Sequence, residues 1–256
     1  MEQVLAQTGS GFIDIHCHIL PGLDDGAKDM AQTLEMLRLA AKDGVEGIVA
    51  SPHIKCGVYD NSRQTITQAI CGLNGSAKKN GVELYQGADI YISRGLIEDV
   101  RKGVLPLIND RNYLLLELPD YVLPPISEIE KMIAGLKVNG VTPVITHPER
   151  NLAILEDVSI AGKLIKAGAV CQLTAGSITG RFGAAVRKAS FRMLKKSLVH
   201  AIASDAHDTR SRPPILSEAH SVVASKFGQS LANDLFILNP RSILNGDPLN
   251  GHYPRA

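Results

Sequence analysis

Short runs of apolar and often β-branched residues alternate with longer amphipathic stretches from one end of the chain to the other. This alternation is typical of repeated β-α units built around a parallel sheet. The seven predicted strands are Phe12–His16, Gly47–Ala50, Glu83–Gln86, Tyr113–Leu118, Thr142–Thr146, Ala169–Leu173 and His200–Ala203. Between the strands, apolar residues recur with helical spacing, as in Ala31–Lys42, Glu128–Lys137 and Ile160–Ala167. The pattern therefore predicts an α/β fold.

The length of the chain fits a single domain of this kind. The chain has 256 residues, with neither a linker nor a low-complexity segment, and roughly 250 residues is typical of a barrel of β-α units. We therefore expect one domain over residues 1–256. Residues 1–11 and 240–256 are expected to be peripheral tails, the second because it is rich in Pro, Gly and Asn.

Potential metal ligands stand at or just after the points where the predicted strands end. They are His16 and His18 at the first strand, His53 at the second, Asp89 at the third, Glu117 at the fourth, His147 at the fifth, and Asp205 and His207 at the seventh. In barrels of parallel strands all these ends lie on one face, where active sites are found. We therefore expect distant parts of the chain to converge on one site.

The first of these positions has the spacing of a chelating pair. His16 and His18 are two residues apart on a strand, so both imidazoles point to one side and Cys17 points to the other. For an isolated pair, a solvent-exposed strand end is the ordinary interpretation. A turn with adjacent carboxylates, Asp24 and Asp25, follows, and Asp24 could simply cap the next helix.

The complete set of ionisable residues is hard to explain without cations. A single buried histidine is more often a hydrogen-bonded core residue than a ligand. Five histidines and up to four carboxylates brought together would cost more free energy than a folded domain can spare. Imidazoles and carboxylates without thiolates suit manganese, iron or zinc. Because nine ligands exceed one tetrahedral zinc site, the set predicts two or three ions.

Composition excludes several other functions. The formal net charge of +1 provides no broad cationic field for nucleic acid or an anionic membrane. The four cysteines, Cys17, Cys56, Cys71 and Cys171, have no paired spacing, which indicates free thiols in a reducing compartment. None has an arginine six residues downstream, so the loop of cysteine-dependent phosphatases is absent. Because we find no signal-peptide pattern and no apolar run long enough to span a bilayer, we expect a cytoplasmic protein.

Eight short motifs connect these residues to a known family. They are Asp14-Ile-His16-Cys-His18, Leu20-Pro-Gly-Leu-Asp24-Asp25-Gly26, Ser51-Pro-His53, Gly87-Ala-Asp89-Ile-Tyr, Leu116-Glu117-Leu, His147-Pro-Glu-Arg150, Ser204-Asp205-Ala-His207 and Arg212-Pro-Pro. In this order they resemble the polymerase-and-histidinol-phosphatase (PHP) superfamily. Within it they are most similar to the manganese-dependent tyrosine phosphatases of bacterial capsule and exopolysaccharide biosynthesis. The resemblance covers nearly the whole chain.

The resemblance implies a fold and a set of site residues. The fold is a distorted (β/α)7 barrel, similar to a TIM barrel, with three cations at the carboxyl ends of the strands. The implied ligands are His16, His18, Asp89 and Asp205 for one cation, Asp89, Glu117 and His147 for a second, and Asp25, His53 and His207 for the third. Arg150 and Arg212 match positions that contact phosphate. The shared carboxylate is usually glutamate in this branch, so the shorter Asp89 could tighten the bridge or alter the metal preference.

The implied reaction is hydrolysis of phosphotyrosine on a protein, expected to be a bacterial tyrosine kinase. The implied cofactors are two or three Mn²⁺ ions, with iron or zinc as substitutes. Such ions withdraw charge from phosphoryl oxygens and make hydroxide available near neutral pH, so no protein nucleophile is needed. Asp205 and His207 are close enough in sequence to be considered as proton donors to the leaving phenolate. The sequence indicates no nucleic acid partner, no membrane insertion and no particular oligomeric state.

Three other functions stay open at this point. The same site could hydrolyse a small phosphomonoester such as histidinol phosphate or a nucleotide derivative, although the motifs around Asp25 and Arg150 favour the capsule branch. A non-catalytic metal-binding regulatory module is disfavoured because every expected ligand position is occupied. Amidohydrolase-like C–N hydrolases also begin with His-x-His, but no lysine stands at a strand end to bridge their metals.

Overall fold

The computed structural model describes residues 11–249, in which nine strands are present. They are β1 (Phe12–Cys17), β2 (Val45–Ala50), β3 (His53–Ile54), β4 (Glu83–Gln86), β5 (Asp89–Tyr91), β6 (Tyr113–Glu117), β7 (Thr142–Thr146), β8 (Val170–Thr174) and β9 (Ala201–Ala203). All seven predicted strands are confirmed within two residues at each end. The two strands that the sequence did not predict, β3 and β5, are very short and follow β2 and β4 after a brief interruption.

All of the paired strands run parallel, in two sheets. Their orders are β1-β2-β4 and β3-β5-β6-β7-β8-β9. A backbone hydrogen bond joins the two sheets: the Asp205 amide, just after β9, donates to the His16 carbonyl in β1 at 2.8 Å. The first strand therefore lies beside the segment that follows the last one. Two parallel strands that follow each other in the chain need a long crossover connection between them, which is usually a helix.

Helices provide these connections. They are α1 (Met30–Lys42), α2 (Arg63–Lys79), α3 (Leu96–Arg101), α4 (Ile126–Val138), α5 (Leu152–Glu156), α6 (Ser159–Lys166), α7 (Ala175–Thr179), α8 (Ala184–Lys195), α9 (Ser217–Phe227), α10 (Gln229–Asn233) and α11 (Asn239–Asn245), with 3₁₀ turns at Ile108–Asp110 and Pro148–Arg150 and a π-helix at Asp234–Leu238. The three helices predicted above correspond to α1, α4 and α6. Within residues 11–249 no helix has both the length and the hydrophobicity needed to cross a membrane.

Apolar side chains pack on both sides of the strands. Successive strand residues point to opposite sides, so Ile13, Leu115 and Val144 belong to one buried cluster, while Leu114 and Leu116 belong to the larger cluster beneath the helices. The larger cluster also contains two of the cysteines, and all four cysteines are free thiols, as predicted.

The C-terminal segment was predicted wrongly in part. Residues 239–245 form helix α11, whose Ile243 and Leu244 side chains complete the smaller cluster. Pro240 is compatible with a helix here because a proline in the first turn forfeits no intrahelical hydrogen bond. After α11, the Asp247 carbonyl accepts a hydrogen bond from the Tyr113 hydroxyl and Leu249 packs against the same cluster. The rest of the two expected tails, residues 1–10 and 250–256, lies outside the described part of the chain.

Candidate metal centre

The nine predicted metal ligands lie together at the carboxyl ends of the strands. Each has a nitrogen or oxygen atom at most 3.9 Å from one of another member of the set. The set comprises His16, His18, Asp25, His53, Asp89, Glu117, His147, Asp205 and His207. Most of these side chains are buried, although Asp25 is half exposed at 52% and opens to solvent. The convergence expected from the strand ends is therefore observed.

The two short strands place two of the ligands side by side. In the parallel pairing of β3 with β5, His53 is opposite Asp89. In the pairing of β5 with β6, Tyr91 is opposite Glu117. The Nδ1 atom of His53 consequently lies 3.5 Å from Asp89 Oδ2 and 3.5 Å from Glu117 Oε2. Although they are only two and three residues long, β3 and β5 are the elements that assemble this part of the site.

Two other ligands stand at strained backbone positions. His147 has φ of 35° and Asp205 has φ of 51°, so both adopt the left-handed conformation that non-glycine residues seldom take. Each of them follows the end of a strand, where the chain turns sharply. Such strain costs about 1–3 kcal/mol per residue and is concentrated at functional sites. The turns direct both side chains towards the other ligands.

The turn after β1 holds two ligands in place through Asp24. Its Oδ2 atom accepts hydrogen bonds from His18 Nδ1 at 2.6 Å and from the His53 amide at 2.9 Å. Gly26 is required beside it because a Cβ there would overlap the carbonyl oxygen of His18. The helix-capping role considered for Asp24 is wrong, since the N-cap of α1 is Asp29. Asp24 instead orients two of the predicted ligands, His18 and His53, a role that was not predicted from the sequence.

The hydrogen bonds of His16 and His18 determine which ring nitrogen of each carries a lone pair. His16 Nδ1 donates to Gln172 Oε1 at 2.9 Å, and His18 Nδ1 donates to Asp24. Both Nε2 atoms are then unprotonated in the neutral rings, yet they lie 3.0 Å apart. Two lone pairs at this distance repel unless a proton or a cation lies between them. Outer-shell hydrogen bonds of this kind are typical of metal-binding histidines.

Buried polar atoms without hydrogen-bond partners also fit cations. His53 Nδ1 and Asp89 Oδ2 are buried and have no hydrogen-bond partner among residues 11–249. An uncompensated buried polar atom is destabilising, so a cation shared by these atoms would relieve the cost. The residues present therefore fit a metal centre. A mixed imidazole and carboxylate set of this kind suits manganese, iron or zinc.

Three groups of donor atoms are compact enough to hold one ion each. They are His18, Asp25, His53 and His207; His16, His18 and Asp205; and His53, Asp89 and Glu117, with all donor atoms in a group within 4.8 Å of one another. These groups overlap the sets implied by the resemblance but differ in their allocation. His53 joins Asp89 and Glu117 in place of His147, whose Nε2 lies 3.8 Å from Asp89 Oδ2.

The charges of the site act strongly on one another. Burial, together with the charges of Asp89 and Asp120, raises the pKa of the Glu117 carboxyl to about 8. Burial alone would lower the pKa of His18, but Asp24 and Asp205 raise it to about 10. Proton uptake by a buried carboxylate and a buried imidazole is how such a cluster reduces its net negative charge. Divalent cations would achieve the same with the ligands deprotonated.

Arg150 and Arg212 both contact Asp205. Arg150 Nη1 lies 2.9 Å and Arg212 Nη2 lies 2.5 Å from Asp205 Oδ2. Burial favours the neutral acid, but Arg150, His16 and Arg212 hold the pKa of Asp205 well below its usual range. The neighbouring Glu149 carboxylate is engaged elsewhere: its Oε1 atom accepts hydrogen bonds from the Thr174 amide at 2.9 Å and from the Ser177 hydroxyl at 2.6 Å.

A pocket opens directly above these groups, and part of its rim is apolar. Its lining comprises Asp25, His53, Glu117, Asp120, Tyr121, His147, Arg150, Leu152, Phe182, Asp205, His207 and Arg212. The ring centroid of Phe182 is 5.0 Å from Arg150 Cζ and 5.9 Å from Arg212 Cζ. Phe182, Tyr121 and Leu152 were not predicted, because an isolated apolar residue in a loop or at the start of a five-residue helix carries no periodic signal. The pocket thus combines metal ligands, two guanidinium groups and an aromatic wall.

Comparison with known proteins places this combination in a family. A family profile described as capsular polysaccharide synthesis, CpsB/CapC, matches residues 12–245. The tyrosine-protein phosphatase YwqE of Bacillus subtilis is 39% identical over 221 residues, which is 86% of each chain. The tyrosine-protein phosphatase CpsB of Streptococcus pneumoniae is 30% identical over 239 residues, 91% of this chain and 98% of that one.

Solved structures agree with the sequence comparison. A structure from a study of YwqE from Bacillus subtilis and CpsB from Streptococcus pneumoniae, described there as unique metal-dependent tyrosine phosphatases, superposes with a TM-score of 0.90. It is 36% identical in sequence, and the match covers 95% of this chain and 98% of that chain. A dihydropyrimidinase from Brevibacillus agri matches with a TM-score of 0.54 at 12% identity, covering 93% of this chain and 71% of that one, which is a likeness of fold alone.

Proposed function

This chain belongs to the CpsB/CapC capsular polysaccharide synthesis family, and on that premise we propose that it is a manganese-dependent phosphatase that hydrolyses phosphotyrosine on a protein. The relatives named above are tyrosine-protein phosphatases. We further propose a bacterial tyrosine kinase as the substrate protein and the cytoplasm as the location, since four free cysteines are typical of a reducing compartment.

One observation carries this proposal more than any other. Two guanidinium groups, Arg150 and Arg212, lie between a cluster of metal ligands and the aromatic ring of Phe182. A planar guanidinium group presents two parallel N–H donors, which match two oxygens of a phosphoryl group. An aromatic ring beside them suits a phenyl group better than it suits a small polar alcohol. The pocket therefore fits an aryl phosphate.

The residues of the chain divide the chemistry between them. We assign all nine side chains as ligands of two or three cations, and Asp89 would contribute to more than one of them because its Oδ2 atom faces His16, His53 and His147. When bound, such cations polarise the phosphoryl group and supply an attacking hydroxide near neutral pH. Arg150 and Arg212 bind the phosphoryl oxygens and orient the ester, while Phe182 packs against the phenyl ring.

Neither residue considered as a proton donor has the environment of one. Asp205 is held ionised by two arginines. The His207 Nδ1 atom faces the backbone carbonyl of Asp205 at 3.0 Å, which leaves Nε2 as a lone pair directed towards Asp25 Oδ1 at 3.6 Å. We therefore assign both residues to the metal ligands and assign no side chain to protonation of the leaving phenolate.

The architecture proposed for this function is a single-domain, distorted (β/α)7 barrel. Two observations support it: the strands are all parallel within their sheets, and the first strand hydrogen-bonds to the segment after the last, with the His18 amide donating to the Ala206 carbonyl at 2.9 Å. In such barrels active sites lie at the carboxyl ends of the strands. The ligands lie at those ends here.

A substrate comparison tests the proposed function. The chelator-treated protein is reloaded with Mn²⁺, Fe²⁺ or Zn²⁺ and assayed on a phosphotyrosyl peptide, histidinol phosphate and nucleoside monophosphates. We expect the highest kcat/KM for the phosphotyrosyl peptide with Mn²⁺. A higher kcat/KM for histidinol phosphate or a nucleotide would transfer the site to small phosphomonoesters, and no turnover with any metal would indicate a non-catalytic module.

A further inference from the structure

A groove lined by cations runs beside helix α8, outside the candidate metal centre. Its charged lining residues are Arg187, Lys188, Arg192, Lys195 and Lys226, and within the described part of the chain no carboxylate lines it. The chain as a whole carries a formal net charge of only +1, with 27 Lys and Arg residues against 26 Asp and Glu residues. The groove is therefore a local excess of positive charge on an otherwise balanced molecule.

Helix α8 builds one wall of this groove by its amphipathic pattern. It buries Ala189, Ser190, Met193 and Leu194 against the rest of the protein. Residues three and four positions apart share a face of a helix, so Lys188, Arg192 and Lys195 are left exposed on the other side. The twelve residues of α8 contain no Asp or Glu. Its exposed side is thus cationic from Lys188 to Lys195.

The groove has an aromatic floor. The half-buried ring of Phe191 lies beside Arg187 of α8 and Lys226 of α9. Its centroid is 5.4 Å from Arg187 Cζ and 5.6 Å from Lys226 Nζ. Arg187 also donates from Nε to the carbonyl of Ile178 at 3.0 Å, which fixes it at the end of α7. Two of the five cations are therefore ordered against a ring rather than extended freely into solvent.

The cations are not neutralised by carboxylates at contact distance. Among residues 11–249, none of the five lies within 4.0 Å of an Asp or Glu oxygen. The carboxylate of Asp157 acts on Arg192 from farther away. Most of the positive potential of the groove is consequently available to a partner.

A small cleft connects the groove to the metal-centre pocket, since it shares Thr179 with the groove and Phe182 with the pocket. Thr179 and Gly180 line the groove, Phe182 lines the metal-centre pocket, and Arg181 lines the cleft between the two. Helix α8 starts two residues after Phe182. At about 1.5 Å per residue its twelve residues span roughly 18 Å, which an extended peptide covers in about six residues at ~3.3 Å each. A peptide with its phosphotyrosine in the pocket can therefore enter the groove without leaving the surface.

We infer that this groove binds an acidic segment of the phosphoprotein substrate, within about ten residues of the phosphotyrosine. The inference rests on the proposed function and adds a determinant of substrate choice outside the metal centre. Charge complementarity favours an acidic partner and accelerates its association. A concave surface with its single ring half-buried fits a polypeptide better than a membrane, because membrane-surface helices expose large apolar residues on one face.

Paired peptides test the inference. The two phosphotyrosyl peptides of a pair are identical except that one carries four Glu residues beside the phosphotyrosine and the other carries four Gln residues. One pair has this run on the N-terminal side of the phosphotyrosine, and a second pair has it on the C-terminal side. In one of the two pairs, we expect kcat/KM for the Glu peptide to exceed that for the Gln peptide about three- to tenfold at low ionic strength. This ratio should fall as salt is added. Combining Lys188→Gln, Arg192→Gln, Lys195→Gln and Lys226→Gln should reduce the ratio to about one.

A matched variant controls for net charge. Combining Lys42→Gln, Lys78→Gln, Lys79→Gln and Lys131→Gln removes the same charge from exposed positions of α1, α2 and α4. This variant should keep the full preference for the Glu peptide. Both variants should hydrolyse para-nitrophenyl phosphate at the parental rate, since neither alters the metal centre. Arg187 is left in place because it supports the end of α7.

Several results would overturn the inference. The first is equal kcat/KM values for the Glu and Gln peptides with the parent protein. The second is a preference for the Glu peptide that survives when the four groove lysine and arginine residues are changed to Gln. The third is the absence of any peptide preference together with binding to phosphatidylglycerol vesicles that this four-residue variant loses. A parent that hydrolyses no aryl phosphate with any metal would contradict the proposed function instead. In that case the ratio of peptide Kd values, measured by fluorescence anisotropy, still decides whether the groove prefers the acidic segment.

Discussion

At the scale of single residues, the proposed metal ligands are held in place by neighbours outside the proposed ligand set. Gln172 and Asp24 fix the tautomers of His16 and His18, and Thr146 donates a hydrogen bond to Asp89 Oδ1 at 3.1 Å. Loss of an outer-shell partner commonly reduces metal affinity or activity by about 10- to 100-fold. The ligand set is thus held in readiness by a second layer of polar side chains.

Asp89 offers the most direct residue-level prediction. Changing Asp89 to Asn removes one charge at nearly constant shape, so we expect metal occupancy and phosphatase rate to fall together, measured by elemental analysis and peptide hydrolysis. Asp89→Glu restores the length usual in the capsule branch and should retain part of the activity. An Asp89→Asn protein with full metal content would remove Asp89 from its role between the ions.

Arg150 separates phosphate binding from metal binding. Because Arg212 still contacts Asp205, Arg150→Ala should preserve the metal content while lowering kcat/KM by about tenfold or more, through loss of ~1.5–3 kcal/mol of charge-assisted hydrogen bonding. Arg150→Lys should recover only part of this, since an ammonium lacks paired donors. Inhibition by phosphate or vanadate should weaken in parallel. Unchanged kinetics in a metal-replete Arg150→Ala protein would leave Arg212 as the phosphate ligand.

Phe182 is predicted to select aryl esters. Phe182→Ala should lower kcat/KM for a phosphotyrosyl peptide about three- to tenfold, from loss of ~0.5–1.5 kcal/mol of aromatic packing. It should change hydrolysis of an alkyl phosphate such as glycerol phosphate much less, and Phe182→Leu should lie between. Equal losses for both esters would mean that the ring only supports the two arginines.

At the scale of elements, the loop between β9 and α9 shows how a turn positions a functional side chain. The Asp208 carboxylate accepts hydrogen bonds from the amides of Arg210 and Ser211, both at 2.6 Å, and from the Arg212 amide at 3.1 Å. Partial burial raises the pKa of Asp208, but hydrogen bonds from Ser211 and Arg210 lower it to about 2. The carboxylate is therefore ionised throughout the neutral range, and the turn brings Arg212 back to the site.

This arrangement predicts different effects for two substitutions of Asp208. Asp208→Ala removes the acceptor, so Arg212 should lose its position, with a several-fold higher KM for the phosphotyrosyl peptide and weaker inhibition by phosphate. The metal content should stay high because Asp208 contacts none of the nine ligand side chains. Asp208→Asn keeps an acceptor oxygen and should behave almost as the parent. Similar KM values for both variants would show that the turn does not position Arg212.

The sequence predicted the longer elements because their apolar periodicity is unambiguous. It did not predict β3 and β5, since two or three residues such as His53-Ile54 are too few to show alternation. It also missed α11, whose Asn239-Pro240 start looked like a tail and whose burial depends on contacts with the core. Short elements stabilised mainly by tertiary packing leave little trace in a single sequence.

For the site, the sequence predicted which residues converge but not the side chains that support them. Histidines and carboxylates after apolar runs were sufficient to identify the converging residues, because parallel strand ends share one face. Their hydrogen-bond partners were not predictable, since Gln172 lies on a strand 156 residues away from His16. The distribution of ligands among ions depends on atom positions within a few tenths of an ångström, which spacing in sequence does not supply.

At the scale of the whole molecule, the metal centre connects nearly the full length of the fold. Its proposed ligands extend from His16 to His207; four of them stand on strands of the two sheets, and the others stand in the segments that follow strands. An ion that binds only the folded state stabilises it in proportion to the logarithm of its concentration over Kd. Removal of the cations should therefore lower the melting temperature as well as the activity.

The most direct test of a cation-dependent phosphotyrosine phosphatase is a titration of the stripped protein. Chelator-treated protein, shown by elemental analysis to be metal-free, is titrated with Mn²⁺ while bound metal and hydrolysis of a phosphotyrosyl peptide are measured in the same samples. We predict no turnover at the start and a rise that parallels occupancy up to two or three ions per chain. Full turnover by the metal-free protein would contradict the proposed function.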